Sequence, residues 1–317
     1  MTTSAAGPRA TDTPADTSVI KAVPLRRPGR LIAAALILIV LALFIYGAAT
    51  NNAYEWSTYR SYLFDQRISS GAWITVQLTV YAMIIGIVLG VLLAVMRLSA
   101  NFVLRAVSWG VLWIVRGTPV YVQLTFWGLV FSIYKNVKFG IPFGPSFVHF
   151  HLQTLSAGFF LAFLGLGINE AAYMAEIVRA GIGSVDEGQS EAASALGMTW
   201  ARTMRRIVLP QAMRVIIPPT GNEVISMLKT TSLVVAIPYS FELYGRQSDI
   251  ASVNFKPVPL LLVASTWYLA ITSLLMVGQY FLEKKYARGT SRILTPRQLR
   301  ALAQAQTAQG PKSADTP

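Results

Sequence analysis

An all-α membrane bundle is the fold class this sequence predicts, and three observations predict it. Hydrophobic residues make up 54% of the chain and charged ones only 13%, against roughly 25% charged in soluble domains. The apolar residues gather into runs near the ~20-residue length that crosses a bilayer as helix. The Lys and Arg residues concentrate in short segments between those runs. The formal net charge of +13 therefore reads as membrane orientation, and nucleic-acid binding is set aside. The chain has no cysteine, which excludes disulfides, thiolate chemistry and cysteine-held metals.

Taken in order, residues 1–30 are rich in Ala, Thr and Pro and end in Arg26-Arg27-Pro28-Gly29-Arg30. That composition predicts a disordered cytoplasmic tail closed by a basic anchor. Residues 31–49 carry no charge and form the first predicted span, too long for a signal-peptide core. The second span is 72–96. From Ala106 to Tyr134 the chain is apolar, but Arg116-Gly117-Thr118-Pro119 interrupts it. A single straight helix would carry Arg116 about 15 Å into the membrane. The expectation is an interfacial helix from Phe102 to Val115, a bend at Arg116, Gly117 and Pro119, and a span onward to Tyr134. Residues 155–178 supply the fourth span. The fifth begins near Pro210 and carries Pro218-Pro219, Gly221, Asn222, Glu223, Lys229, Thr230 and Thr231. So polar a helix is tolerable broken and packed inside a bundle or against a wet cavity. The sixth span is 258–282, and a cytoplasmic tail follows over 286–317.

Orientation follows from counting Lys and Arg. With the N-terminus inside, segments 1–30, 97–105, 179–209 and 283–317 hold eighteen, and 50–70, 135–153 and 237–257 hold six. This bias places both termini in the cytoplasm of a multi-pass protein of the cytoplasmic membrane.

Residues 190–210 read SEAASALGMTWARTMRRIVLP. Glu191-Ala192-Ala193 is followed by Gly197 and, nine residues later, by Ile207-x-Leu209-Pro210. A polar, basic helix–Gly–helix insert between two membrane-length stretches suits docking of a soluble partner. It resembles the cytoplasmic "EAA" loop of ABC importer permeases. The resemblance implies that Glu191, Ala192, Ala193, Gly197, Ile207, Leu209 and Pro210 couple to an ATPase. Gly71-Ala72-Trp73-Ile74-Thr75-Val76-Gln77-Leu78-Thr79 looks like the opening of the first core helix in the polar amino-acid branch of that family. Arg116 to Leu124 resembles its RGTPLLVQL signature. Ala172-Tyr173-x-Ala175-Glu176-Ile177-x-Arg179-Ala180-Gly181-Ile182, Gly188-Gln189-x-Glu191-Ala192, Pro219, Asn222 and Lys229-Thr230-Thr231-Ser232-Leu233 belong to the same pattern.

The similarity covers about residues 69–285, so the span at 31–49 is an extra helix on a five-helix core. It implies a permease for histidine, glutamate, glutamine, arginine, an opine or a related polar solute. It also implies ABC ATPase subunits holding ATP and Mg, a second permease (identical or homologous), an extracytoplasmic solute-binding protein and a lipid surround. A compatible solute is an alternative cargo.

Each motif has a plainer reading. Gly197 alone would be a helix stop, and Glu191 alone a residue favoured near a helix N-terminus. Arg202, Arg205 and Arg206 read as anchors near lipid headgroups. Glu176 and Arg179, three apart, read as a structural pair, and Arg116 as a snorkelling side chain unless its Gly-Thr-Pro context fixes a bend. Asn222, Ser226 and Thr230 recur every four residues beside Lys229. Together with Glu223 they are the candidate translocation path, set against simple interhelical hydrogen bonding.

Enzymatic readings fail. His149-Phe-His151 lacks the i,i+4 spacing of a helical metal site, and Ser184 has no cytoplasmic histidine to activate it. No G-x-x-x-x-G-K-[ST] occurs, so no P-loop holds ATP. Catalytic, cofactor and metal-ligating residues are therefore assigned to none of this chain. An ion-coupled secondary transporter would require paired acidic residues in the spans and a two-fold internal repeat, and neither is evident in the sequence. A membrane anchor for a signalling complex would not need the polar fifth span.

Overall fold

The computed structural model describes residues 28–133, 136–141, 145–151 and 155–286. The terminal tails expected at 1–30 and 286–317 therefore lie almost wholly outside the described residues. The chain divides into two compact units, Met1–Asn52 and Ala53–Pro317. The first contains helix α1 (Pro28–Thr50), whose apolar side chains from Leu31 to Tyr46 are exposed, a surface suited to lipid.

The second unit is helical. It opens with α2 (Trp56–Tyr62) and the long α3 (Gln66–Leu98), which is capped by Asp65, whose Oδ1 accepts from the Arg67 backbone N–H at 2.8 Å. α4 (Phe102–Gly117) and α5 (Val120–Ile133) follow, then α6 (Leu155–Gly183), α7 (Glu187–Ala195) and α8 (Trp200–Thr203). A π-helical turn at Met204–Val208 leads into α9 (Leu209–Thr230). A 3-10 turn (Thr231–Ala236), α10 (Leu243–Asn254) and α11 (Pro257–Tyr286) complete the unit. Four described helices are long and apolar enough to cross a membrane: α1, α3, α6 and α11. The two further crossings expected from the sequence fall on α5 and on the polar α9. One strand pair was not expected in an all-α chain. β1 (Asn136–Gly140) and β2 (Ser146–His151) form an antiparallel ribbon between α5 and α6, with an irregularity at Phe139/Gly140. Their backbone groups find partners there without adding a helix.

α3 and α6 form the centre. One face of α3 (Ala72, Thr75, Leu78, Ala82, Gly86, Gly90, Ala94) is buried, while Trp73, Val80, Ile84, Val88, Leu92 and Val95 face outward as lipid contacts do. Gly86 and Gly90 sit four apart, the small-residue spacing that lets helix backbones approach closely. A Cβ at Gly90 would lie 2.5 Å from Met174 Cβ and 3.0 Å from both Ala171 O and Ala175 N. The main core joins Leu78, Ala82 and Met83 to Leu124, Leu166, Met174 and Met227.

Between the 3-10 turn and α10, a buried carboxylate ties α10 to α11. Glu242, 0% exposed, caps α10 by accepting from the backbone N–H groups of Tyr244 (2.8 Å) and Gly245 (2.5 Å), and from the Tyr268 hydroxyl of α11 (3.2 Å). Next to it the Leu243 N–H donates to Thr75 Oγ1 of α3 at 3.1 Å. Burial pushes the Glu242 carboxyl up to about 7, against the lowering effect of those backbone donors.

Candidate translocation and coupling sites

The bend expected at Arg116, Gly117 and Pro119 is present: α4 ends at Gly117 and α5 starts at Val120. Proline lacks the N–H that would close a bond to the carbonyl four residues back, here Val115. Gln123 takes over that role, because its Nε2 donates to Val115 O at 2.7 Å and reaches Thr118 O and Thr118 Oγ1 at 3.0 and 2.8 Å. Its Oε1 accepts from Asn169 Nδ2 of α6 at 3.1 Å. Gln123 is thus a splint across the break, anchored to a neighbouring helix. The sequence held the cue, a glutamine four residues after the proline.

α4, expected as an interfacial helix, packs one face on the bundle: Leu112 and Val115 bury against Ala172 and Ala175 of α6, and Ser108 Oγ donates to Leu93 O of α3 at 2.8 Å. Arg116 is exposed and lines a cavity that also takes in residues of α6 and α9. Its guanidinium lies 5.7 Å from the Tyr173 ring centroid.

That cavity, about 570 Å³, is lined by residues 116–120, Asn169, Glu170, Tyr173, Glu223, Ser226, Met227 and Thr230. Of the five candidate path residues on α9, Glu223, Ser226 and Thr230 reach it. Asn222 is exposed elsewhere, and Lys229 opens on a different hollow with Tyr244, Leu261 and Tyr268. Helical pitch allows either stripe, because 222–226–230 and 223–226–230 each stay on one side of a helix with 3.6 residues per turn; the rotation of α9 in the bundle turns 223–226–230 to the cavity. No ion pair joins Glu223 and Lys229 among the described residues.

Sequence reading missed Glu170. It is 4% exposed, its Oε1 has no hydrogen-bond partner, and its Cγ lies where a Cβ at Gly86 would be 2.6 Å away. The expectation that no paired acidic residues lie in the spans is therefore corrected: Glu170 of α6 and Glu223 of α9 open on one cavity. The available signal was Glu170 beside Asn169, deeper in the apolar run 155–178 than Glu176, which has Arg179 three residues on to pair with. Desolvating a lone carboxylate is costly unless something cationic or hydrogen-bonding approaches it. The Glu176–Arg179 pair expected from their three-residue spacing forms: Arg179 Nη2 donates to Glu176 Oε1 at 2.6 Å and Nε to Oε2 at 3.2 Å.

The EAA segment folds as helix–turn–helix. Asp186 caps α7 by accepting from the Gly188 N–H at 2.8 Å. At the other end Gly197 adopts φ +72°, with its N–H donating to Ser194 O at 2.9 Å and the Met198 N–H to Ala193 O at 3.0 Å. Those paired bonds about a left-handed residue form a Schellman terminus, which glycine adopts without penalty. Ala193 is buried beneath, while Glu191 and Ala192 are exposed. Leu196 and Trp200 are 81% and 73% exposed, apolar side chains displayed at the turn. Ile207 is half-buried and Leu209 and Pro210 exposed, where the π-helical turn passes into α9.

Apolar helices around a charged cavity, with a polar helix–turn–helix between two long ones, define a membrane permease. Comparison with known proteins narrows the class. Residues 86–288 match the binding-protein-dependent transport system inner membrane component. An arginine transport system permease of Corynebacterium glutamicum is 61% identical, over 91% of this chain and 90% of that protein. A nopaline transport system permease of Agrobacterium fabrum is 36% identical over 66% of this chain and 84% of its own length. A crystal structure of an amino acid ABC transporter with histidines superposes with a TM-score of 0.58 at 32% identity, covering 69% of this chain and 94% of that one. The chain belongs to the binding-protein-dependent transport permeases and is the membrane permease subunit of an amino-acid ABC importer. It is itself not an enzyme.

Proposed function

We propose that this subunit passes an amino acid with a cationic side chain, arginine foremost, through the cavity between α4–α5, α6 and α9. The observation that carries the reading is its charge arrangement: two carboxylates, Glu170 and Glu223, and one guanidinium, Arg116, line the same space. An α-carboxylate pairs with Arg116 bidentately, and the ammonium and guanidinium of arginine match the two carboxylates, including the unpartnered Glu170 Oε1. Ser226, Thr230 and Asn169 supply neutral hydrogen bonds. The arginine permease of C. glutamicum supports the same cargo.

The EAA segment, residues 184–210, docks an ABC ATPase that holds the ATP and Mg. Glu191, Ala192, Ala193 and Gly197 present the docking helix, and Ile207, Leu209 and Pro210 join it to α9. A second permease completes the path and a solute-binding protein delivers the cargo outside. In this reading residues 69–285 form the permease domain, 31–49 is an added sixth span, and both termini are cytoplasmic, as the basic-residue bias supports. The test is arginine binding to the purified permease–ATPase complex. Glu170→Gln and Glu223→Gln should each raise the arginine Kd about tenfold or more, since each removes a charged partner. Unchanged arginine affinity in both variants, or wild-type preference for glutamate, would overturn the assignment.

A further inference from the structure

We infer that Gln279 of α11 is a positioning residue that latches the pivot of α9, so that movement of the EAA segment becomes movement of the cavity wall. This rests on the coupling reading above.

α9 contains Pro218 and Pro219. Neither ring nitrogen carries a hydrogen, so the carbonyls of Arg214 and Val215 lose their usual helical donors. The helix is weakest there, between two halves with different work. The first half, from Leu209, continues the π-helical turn and buries Ala212 and Ile216 against Val178 of α6 and Ala94 of α3. The second half carries Glu223, Ser226 and Thr230 into the cavity.

Gln279 sits at the junction, 9% exposed. One amide hydrogen goes to Pro218 O and the other to Glu283 Oε1, both at 2.8 Å. With both hydrogens committed, the amide oxygen is turned onto Gly221, where a Cβ would collide with it. The glycine is therefore what lets the amide reach the proline carbonyl. A bond to the carbonyl beside a proline break holds a fixed point on α11, while the segments on either side change angle about it. Without that point, displacement entering from the EAA side is absorbed at the break before reaching Glu223.

The experiment uses the whole transporter, reconstituted with its ATPase and binding protein, and reads amino acid imported per ATP hydrolysed. Gln279→Met keeps the side-chain length and removes the donors. It should assemble normally and hydrolyse ATP at near wild-type rate, while import per ATP falls by about an order of magnitude. Gly221→Ala should do the same by displacing the amide. Adding Gln279→Ala to Gly221→Ala should cost little more, because both act on one contact. Parallel loss of ATPase activity and import in Gln279→Met, or an unchanged ratio, overturns the latch. Gly197→Val run alongside separates the two readings. If it abolishes import while Gln279→Met keeps the ratio, the latch alone fails. If both variants import normally, the coupling reading fails and the latch fails with it.

Discussion

Replacing Gly197 tests the coupling segment most directly, because the structure isolates the cost. A Cβ built at Gly197 meets no atom within 4 Å, yet φ there is +72°. Any penalty is therefore conformational and not steric. An L-residue held in the left-handed region costs about 1–2 kcal/mol, with β-branched side chains at the upper end and Asn the most tolerant. That shifts the equilibrium between the Schellman turn and its alternatives by a factor of roughly 5–30. The two turn hydrogen bonds, from Gly197 to Ser194 and from Met198 to Ala193, are what the shift breaks. Their loss re-aims α7, which carries Glu191 and Ala192. In proteoliposomes with ATPase and binding protein, uptake should fall in the order Asn, Ala, Val, with Gly197→Val nearly inactive. Melting temperature should hold, since the site lies outside the core. Wild-type uptake by Gly197→Val, or equal loss in Asn and Val, would refute the argument.

Further outcomes follow from packing at two glycines and from the buried Glu242. Gly90→Ala places a Cβ 2.5 Å from Met174 Cβ with backbone atoms at 3.0 Å on two sides, so overpacking should lower stability by about 1–3 kcal/mol. Gly110→Ala, with nothing within 4 Å, should leave the detergent melting temperature unchanged or raise it. Glu242 titrates near 7 when folded against 4.5 as its ordinary value. The native state thus keeps a proton the unfolded chain releases, and stability should fall by about 3 kcal/mol as pH rises through that window. Glu242→Gln should flatten the melting temperature against pH between 5 and 8, and an equally steep slope in the variant would locate the titration elsewhere.

Much of this protein was legible in order along the chain. Apolar runs and basic punctuation announce the long helices because lipid and water impose their demands residue by residue. Arg116-Gly117-Thr118-Pro119 announces its bend, and Gly197 its left-handed turn, because proline and glycine act on the local backbone. The cavity was legible only in part. Glu223, Ser226 and Thr230 stood out on a polar helix, but Glu170, unlike Glu176 with its nearby Arg179, has no evident role in α6 until folding sets it on the same cavity as α9. Which of Asn222, Glu223 and Lys229 faces the cavity depends on helix rotation, and packing decides that. Gln123 and Gln279 are ordinary polar residues in sequence. They matter because each amide reaches a backbone carbonyl at a proline break, in Gln279's case on another helix, sixty-one positions away from Pro218. Such pairings answer to three-dimensional distance, which local composition does not encode.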